Sequence, residues 1–155
     1  MKIVVLKFGG TSVGTIEKIK KVTDIIIEHK KKKNKVIVVS SAMSGVTNDL
    51  IKKSKQISNN FLDSEYDVLV SSGEQVACSL IAGRLNHKGF KSRSWLGWQI
   101  PIFTNGPYTN SRIQQVNKNK LLRFLKEGGI PIITGFQGVN IKEKVTTIAT
   151  GGSKA

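Results

Sequence analysis

The stretch Ile3-Val4-Val5-Leu6-Lys7-Phe8-Gly9-Gly10-Thr11-Ser12-Val13 decides how the rest of the chain is read. Its first four residues are a continuous apolar run, which predicts a strand buried on both faces. Lys7 and Phe8 end the run, and the glycine pair with the residues up to Gly14 predicts a tight loop. Beyond it Ile16, Ile19, Val22, Ile26 and Ile27 recur at helical spacing, with Thr15 as N-cap and Glu17 in the first turn. Lys30 to Lys33 place cations at the negative end of that helix, and Asn34 is read as its left-handed cap. Val36-Ile37-Val38-Val39 predicts a second strand. A β-loop-α-β opening demands a parallel pair with a right-handed crossover.

The pattern continues through the chain. Small residues from Ser40 to Gly45 form a loop, and Val46, Leu50, Ile51 and Ile57 mark a second amphipathic helix. A third helix places Val76, Leu80, Ile81 and Leu85 on one face and stops at Gly89; short strands near 91–95 and 100–104 follow. Asn117 caps a helix through Leu121, Leu122 and Leu125, Pro131 to Thr134 is a buried strand, and Val145 to Ile148 precedes Gly151-Gly152-Ser153. The fold class is therefore α/β, an open, mainly parallel sheet with helices on both faces and functional loops at the strand ends.

Composition narrows the function. A chain of 155 residues, 39% hydrophobic and 23% charged, is globular and has the size of one domain. Its apolar runs are too short to span a membrane, and no cleavage site follows a long apolar region near Met1. The single cysteine, Cys78, excludes an internal disulfide framework and fits a reducing compartment, so a cytoplasmic location is expected. The net charge of +15 invites a nucleic-acid reading. Its make-up, 21 Lys against 4 Arg, argues against specific recognition, which favours the planar arginine fork.

The chemistry concentrates in the first loop. A strand end delivers Lys7, Gly9 and Gly10 let backbone N–H groups approach an anion, and the following helix points its positive end at the same space. A lysine ammonium there can neutralise charge on a transferred phosphoryl group. The bland alternative is a plain strand-to-helix turn, and no G-x-x-x-x-G-K-[ST] pattern is present. Glu74 on the same terms is a solvated first-turn carboxylate following Gly73 near a helix start. His29 and His87 sit near helix ends with no metal-ligand spacing, and Cys78 reads as a small core residue. Trp95 and Trp98 read as packing residues rather than base-stacking ones, and Arg112 as an anion contact or a structural ion pair.

Lys7-Phe8-Gly9-Gly10-Thr11-Ser12-Val13 resembles the signature of the aspartokinases within the amino-acid kinase family. The segments Val38 to Asn48, Ser72-Gly73-Glu74, Ser94 to Gln99, Ser111-Arg112-Ile113 and Gly135-Phe136-Gln137-Gly138 agree in order and spacing, covering almost the whole chain. The resemblance implies ATP-dependent phosphorylation of the β-carboxylate of L-aspartate to 4-phospho-L-aspartate, feeding lysine, threonine and methionine synthesis. It implies Lys7 as the catalytic residue and Ser41, Thr47 and Glu74 as the aspartate site, with Glu74 on the α-ammonium. Lys7, Gly9, Gly10, Thr11, Ser12 and Ser153 would serve the phosphates of ATP, which would carry Mg2+; no protein metal site is implied.

The sequence departs from the family near its end. The family arginine for the substrate α-carboxylate falls at Thr150, and the aspartate that orients the catalytic lysine falls at Lys154. A cation there would disfavour the protonated form of Lys7. Residues 1–155 are thus expected to form a partial amino-acid kinase domain, incomplete at the C-terminal end, without most of the nucleotide-binding half and without regulatory ACT domains. A sheet edge and apolar surface are expected to lie uncovered unless a homodimer partner or a complementing kinase half covers them. Competing readings are a non-catalytic aspartate-binding remnant, half of a split kinase, and a basic nucleic-acid-binding module. The 155 residues alone are expected to show negligible aspartate-dependent turnover. A coupled ADP-release assay on the purified chain checks this, and turnover above background refutes it.

Overall fold

The structure, a computed structural model, describes residues 2–149. Thr150, Ser153 and Lys154, and the roles assigned to them, lie outside the described residues. Twelve elements follow in order: β1 (Ile3–Phe8), α1 (Ile16–Lys31), β2 (Lys35–Ser40), α2 (Val46–Ile57), α3 (Asp63–His87), β3 (Ser92–Trp95), β4 (Ile102–Asn105), β5 (Arg112–Val116), α4 (Asn119–Lys126), β6 (Ile130–Thr134), β7 (Gln137–Val139) and β8 (Val145–Thr147).

The expected parallel sheet is present, in the order β1-β2-β6-β3. The register sets Lys7 beside Val39, Phe8 beside Ser40, and Ser40 beside Thr134, so three strands end together. Strand alternation then sorts the core by face. Val36, Val38, Ile130 and Ile132 pack with Ile19, Val22 and Ile26 of α1 and Ala77, Ile81 and Leu85 of α3. On the other face Ile37, Val39 and Ile133 meet Trp95, Leu121 and Phe124. Helices cover both faces, as the α/β reading required.

Some local readings needed tertiary context. β1 is not buried on both faces, because it lies at the sheet edge; Ile3 is 47% and Val5 61% exposed. Thr15 caps α1 as expected, its Oγ1 accepting the Lys18 N–H at 3.2 Å, but the left-handed residue after the helix is Lys33, not Asn34. In α3, Val76 and Leu80 point outward while Val70, Ala77, Cys78, Ile81 and Leu85 are buried. A second, mixed sheet, β5-β4-β7-β8, was not foreseen. Its β4–β5 and β7–β8 pairs are antiparallel, and only β4–β7 is parallel. Arg112 lies exposed on β5 and joins no ion pair among the described residues.

Helix α3 holds the two sheets together through buried polar contacts. Asp67 is fully buried, and its carboxylate accepts the Thr147 N–H and hydroxyl, each at 2.8 Å, and the Thr109 N–H at 3.0 Å. One turn later the Ser71 carbonyl accepts from Gln137 Nε2 at 3.0 Å, while Gln137 Oε1 takes the Gly97 N–H. At Gly73 the helix meets the loop after β2 so closely that a Cβ would stand 2.9 Å from Ala42 Cβ and 3.1 Å from Val46 Cγ1. Gly83, in the same helix, faces open space.

These two glycines make a matched test. Gly83→Ala gains helix propensity and is expected to stabilise the fold by about 1 kcal/mol. Gly73→Ala gains the same propensity but overpacks a close contact, at a cost of about 1–3 kcal/mol. Urea titration is expected to show a higher midpoint for Gly83→Ala than for wild type, and a lower one for Gly73→Ala.

Candidate functional site

The site grows out of the shared ends of β1, β2 and β6. Each strand stops at the same level, and ligands in open parallel sheets bind beyond the carboxyl ends of the strands. The three following loops lie side by side: Ser41 N–H donates to the Phe8 carbonyl at 3.0 Å, and Gly135 N–H to the Ser40 carbonyl at 2.9 Å. The first loop folds on itself through Ser12 N–H to the Gly9 carbonyl, 2.9 Å. Close packing explains Gly10, where a Cβ would stand 3.0 Å from the Ala42 carbonyl oxygen, whereas Gly9 faces open space.

These loops border an open cleft of about 910 Å³. Lys7, Gly9, Gly10, Ser41, Thr47 and Glu74 all line it, brought together from β1, the loop after β2, α2 and α3. Lys7 is exposed at the strand end. The Ser41 and Thr47 hydroxyls make no hydrogen bond among the described residues, which leaves them available as donors. Thr11 and Ser12 are exposed and lie outside the cleft lining. The cleft continues over apolar side chains such as Val5, Ile102 and Ile113, with Phe136, Ile148 and Ala149 among its further walls.

Glu74 departs most from its bland reading. It sits in the middle of α3, not near its start, and is 3% exposed. Gly73 brings the helix against the loop after β2, so Glu74 Oε1 accepts the Ala42 N–H at 3.2 Å. Its other oxygen, Oε2, is buried and has no partner among the described residues. Burial raises the Glu74 carboxyl to about 7, with the Ala42 hydrogen bond opposing. A carboxylate half satisfied in this way is costly alone and well suited to a cationic ligand group.

The neighbouring thiol offers no second reactive group. Cys78 is fully buried, and burial with the neighbouring Glu74 pushes its thiol up to about 12, far from a reactive thiolate. Among the described residues no three His, Cys, Asp or Glu side chains come together as a metal site, and no helix is long and apolar enough to cross a membrane. Sequence reasoning missed Asp67, which ties the walls together from outside the cleft lining, and the side chain of Gln137, which lines the cleft and is held by Gly97 and Ser71. A carboxylate two helical turns before Glu74, in a helix joining both sheets, was the available signal for the first.

Comparison with known proteins adds family information. The profile of the Amino acid kinase family matches residues 2–153. The chain is 46% identical over 153 residues to an aspartokinase of Geobacillus stearothermophilus, covering 99% of this chain and 38% of that protein. Among solved structures it is similar to the aspartate kinase of Synechocystis, with a TM-score of 0.78 and 35% identity over 99% of this chain and 25% of that one. Aspartokinase III of Escherichia coli, solved in complex with aspartate and ADP, shares the fold with a TM-score of 0.82 at 22% identity, over 99% of this chain and 44% of that one. The chain therefore spans well under half the length of the curated aspartokinases it matches.

The raised carboxyl of Glu74 has a signed consequence for stability. Its proton is bound more tightly in the folded state, so folding is most favoured below the ordinary carboxylate range, near 4.5. That contribution falls as pH rises to about 7 and then levels off, by up to about 3 kcal/mol. Glu74→Gln removes the titration. Urea unfolding of both proteins from pH 4.5 to 8 is expected to show the variant gaining on wild type across that window; parallel curves refute the assignment.

Proposed function

The chain belongs to the amino acid kinase family, and on that footing we propose that it forms the aspartate-binding part of an aspartokinase, transferring phosphate from ATP to the β-carboxylate of L-aspartate. The observation that carries this reading is Glu74, a buried carboxylate with one oxygen on the Ala42 N–H and the other unpartnered beside the cleft. An α-ammonium group supplies the missing partner as a charge-assisted hydrogen bond. Relatives over 99% of the chain that bear the name aspartokinase support the same assignment. The activity is that of a whole enzyme, of which this chain matches 38% in the Geobacillus relative.

In this reading the aspartate α-ammonium sits on Glu74, and the Ser41 and Thr47 hydroxyls donate to the amino acid. Its β-carboxylate then faces Lys7 and the Gly9-Gly10 backbone. One β-carboxylate oxygen attacks the γ-phosphorus of ATP, the bond from that phosphorus to the bridging oxygen breaks, and ADP leaves as the acyl phosphate forms. Lys7 neutralises charge spread over the transferred phosphoryl oxygens, the largest service a protein can give this reaction. Thr11 and Ser12 would serve the phosphates rather than the amino acid; the phosphate role implied for Ser153 lies outside the described residues. Mg2+ would accompany the nucleotide; the described residues offer no carboxylate set for it, and no step here is routed through it.

The remaining features fit a partial kinase domain over residues 1–155 acting in the cytoplasm with a partner. The unpaired edge of β1, with Ile3 and Val5 exposed, would be buried by a complementing kinase portion or by a second copy. Lysine, threonine and methionine synthesis would draw on the product.

Calorimetric titration of the full chain with L-aspartate tests the reading. Binding is expected to weaken at least tenfold in Glu74→Gln, and succinate, which lacks the ammonium, is expected to bind wild type no better than the variant binds L-aspartate. Affinity is also expected to rise about tenfold from pH 6 to pH 8 as Glu74 ionises, and to stay flat in the variant. Equal binding of L-aspartate and succinate by wild type would sink the proposal.

A further inference from the structure

A second cavity, of about 550 Å³, lies between edge strand β3 and helix α4 and shares no lining residue with the cleft. Arg93 and Trp95 stand two apart on β3 and so share a face, while Lys120, Arg123 and Phe124 form one stripe of α4 that continues to its C-cap, Glu127. The floor is aromatic: the Trp95 and Phe124 rings meet edge to face, with centroids 5.9 Å apart. The Arg93 guanidinium carbon lies 4.0 Å from the Trp95 ring centre, a cation–π contact that holds the charge over the aromatic floor. At the mouth Trp98 is half exposed.

The charge of this groove is not balanced. Among the described residues Glu127 is its only carboxylate; Lys91, outside the lining, pairs with it at 2.7 Å, and Arg123 is a weaker electrostatic neighbour. Arg93 and Arg123 make no ion pair or side-chain hydrogen bond among the described residues, and Lys120 donates only to the Gln99 carbonyl, at 3.3 Å. Lys120 and Arg123, three apart on one helix, repel each other. A charge on Arg93 alone is explained by the need to protect an edge strand. Two more cations on the facing helix, above an aromatic floor and beside an exposed indole, are not.

We propose that this groove binds a nucleoside monophosphate: the phosphate lies between Arg93, Lys120 and Arg123, and the planar base stacks on Trp98. Its volume suits a ligand of that size, aromatic stacking accepts any base, and two arginines with a lysine match a phosphate dianion. The site is independent of the aspartate reading, because no residue is shared.

The chain has two tryptophans, both lining this groove and neither lining the cleft; buried Trp95 also packs on Ile100, Ile102, Leu121 and Ile133 of the cleft wall, so the exposed Trp98 indole N–H is the direct reporter. Titration of 15N-labelled chain with AMP is expected to move both resonances saturably, with adenosine and inorganic phosphate each at least tenfold weaker. Arg123→Glu and Trp98→Ala, at exposed positions, are each expected to weaken AMP about tenfold with an unchanged thermal melt; Arg93→Gln serves if either fails to fold. Indole resonances that stay fixed at millimolar AMP overturn the proposal. So does phosphate acting as strongly as AMP, which means an adventitious ion only. A single-stranded oligonucleotide binding far more tightly than AMP, with steep salt dependence, also overturns it in favour of a nucleic-acid surface.

Discussion

Everything at the candidate site depends on how closely helix α3 can approach the loop that follows β2. Gly73 permits a contact that any side chain would block, since a Cβ there would lie 2.9 Å from Ala42. That approach carries Glu74 beneath the loop, where one oxygen meets the Ala42 N–H and the other loses water without gaining a partner. Burial of this kind is why the carboxyl is raised to about 7. The site's electrostatics therefore follow from a packing contact, and the glycine beside the acid is as necessary as the acid.

The same helix organises the rest of the molecule. Asp67 holds Thr109 and the β8 residue Thr147, and the Ser71 carbonyl holds Gln137 at the start of β7. Two turns beyond Asp67, Glu74 holds the β2 loop. Spaced along one rigid rod, these contacts set the distance between the parallel sheet and the mixed sheet, and so the width of the cleft. Each anchor is polar and buried, so losing one strands backbone donors that have no other partner, an expensive loss compared with that of a surface contact.

The opening β-loop-α-β unit was legible because its elements are local. Val36 and Val38 alternate with Ile37 and Val39, Ile19 to Ile26 keep helical spacing, and Thr15 caps α1 as its side chain dictates. The α3 face was misread because a helix flanked by α1, α2 and both sheets is not amphipathic in a simple way; Val76 and Leu80 look like core and are exposed. By its sequence β1 reads as doubly buried, because an apolar run does not say which strand lies at the edge. The second sheet was hidden because β7 and β8 are only three residues long and owe their pairing to neighbours distant in sequence.

What the sequence by itself determined was the parallel α/β core and the loop beginning Lys7-Phe8-Gly9-Gly10 at the end of its first strand. Periodicity, caps and turn residues act over a few positions, so they survive without coordinates. Only the tertiary structure decided that Glu74 is a buried, half-satisfied carboxylate rather than a solvated one, that β1 is an edge, and that Arg93, Lys120, Arg123 and the tryptophans share a groove. Burial and charge balance depend on which distant segments meet. A carboxylate's state is set by everything packed around it, and that cannot be read from its neighbours along the chain.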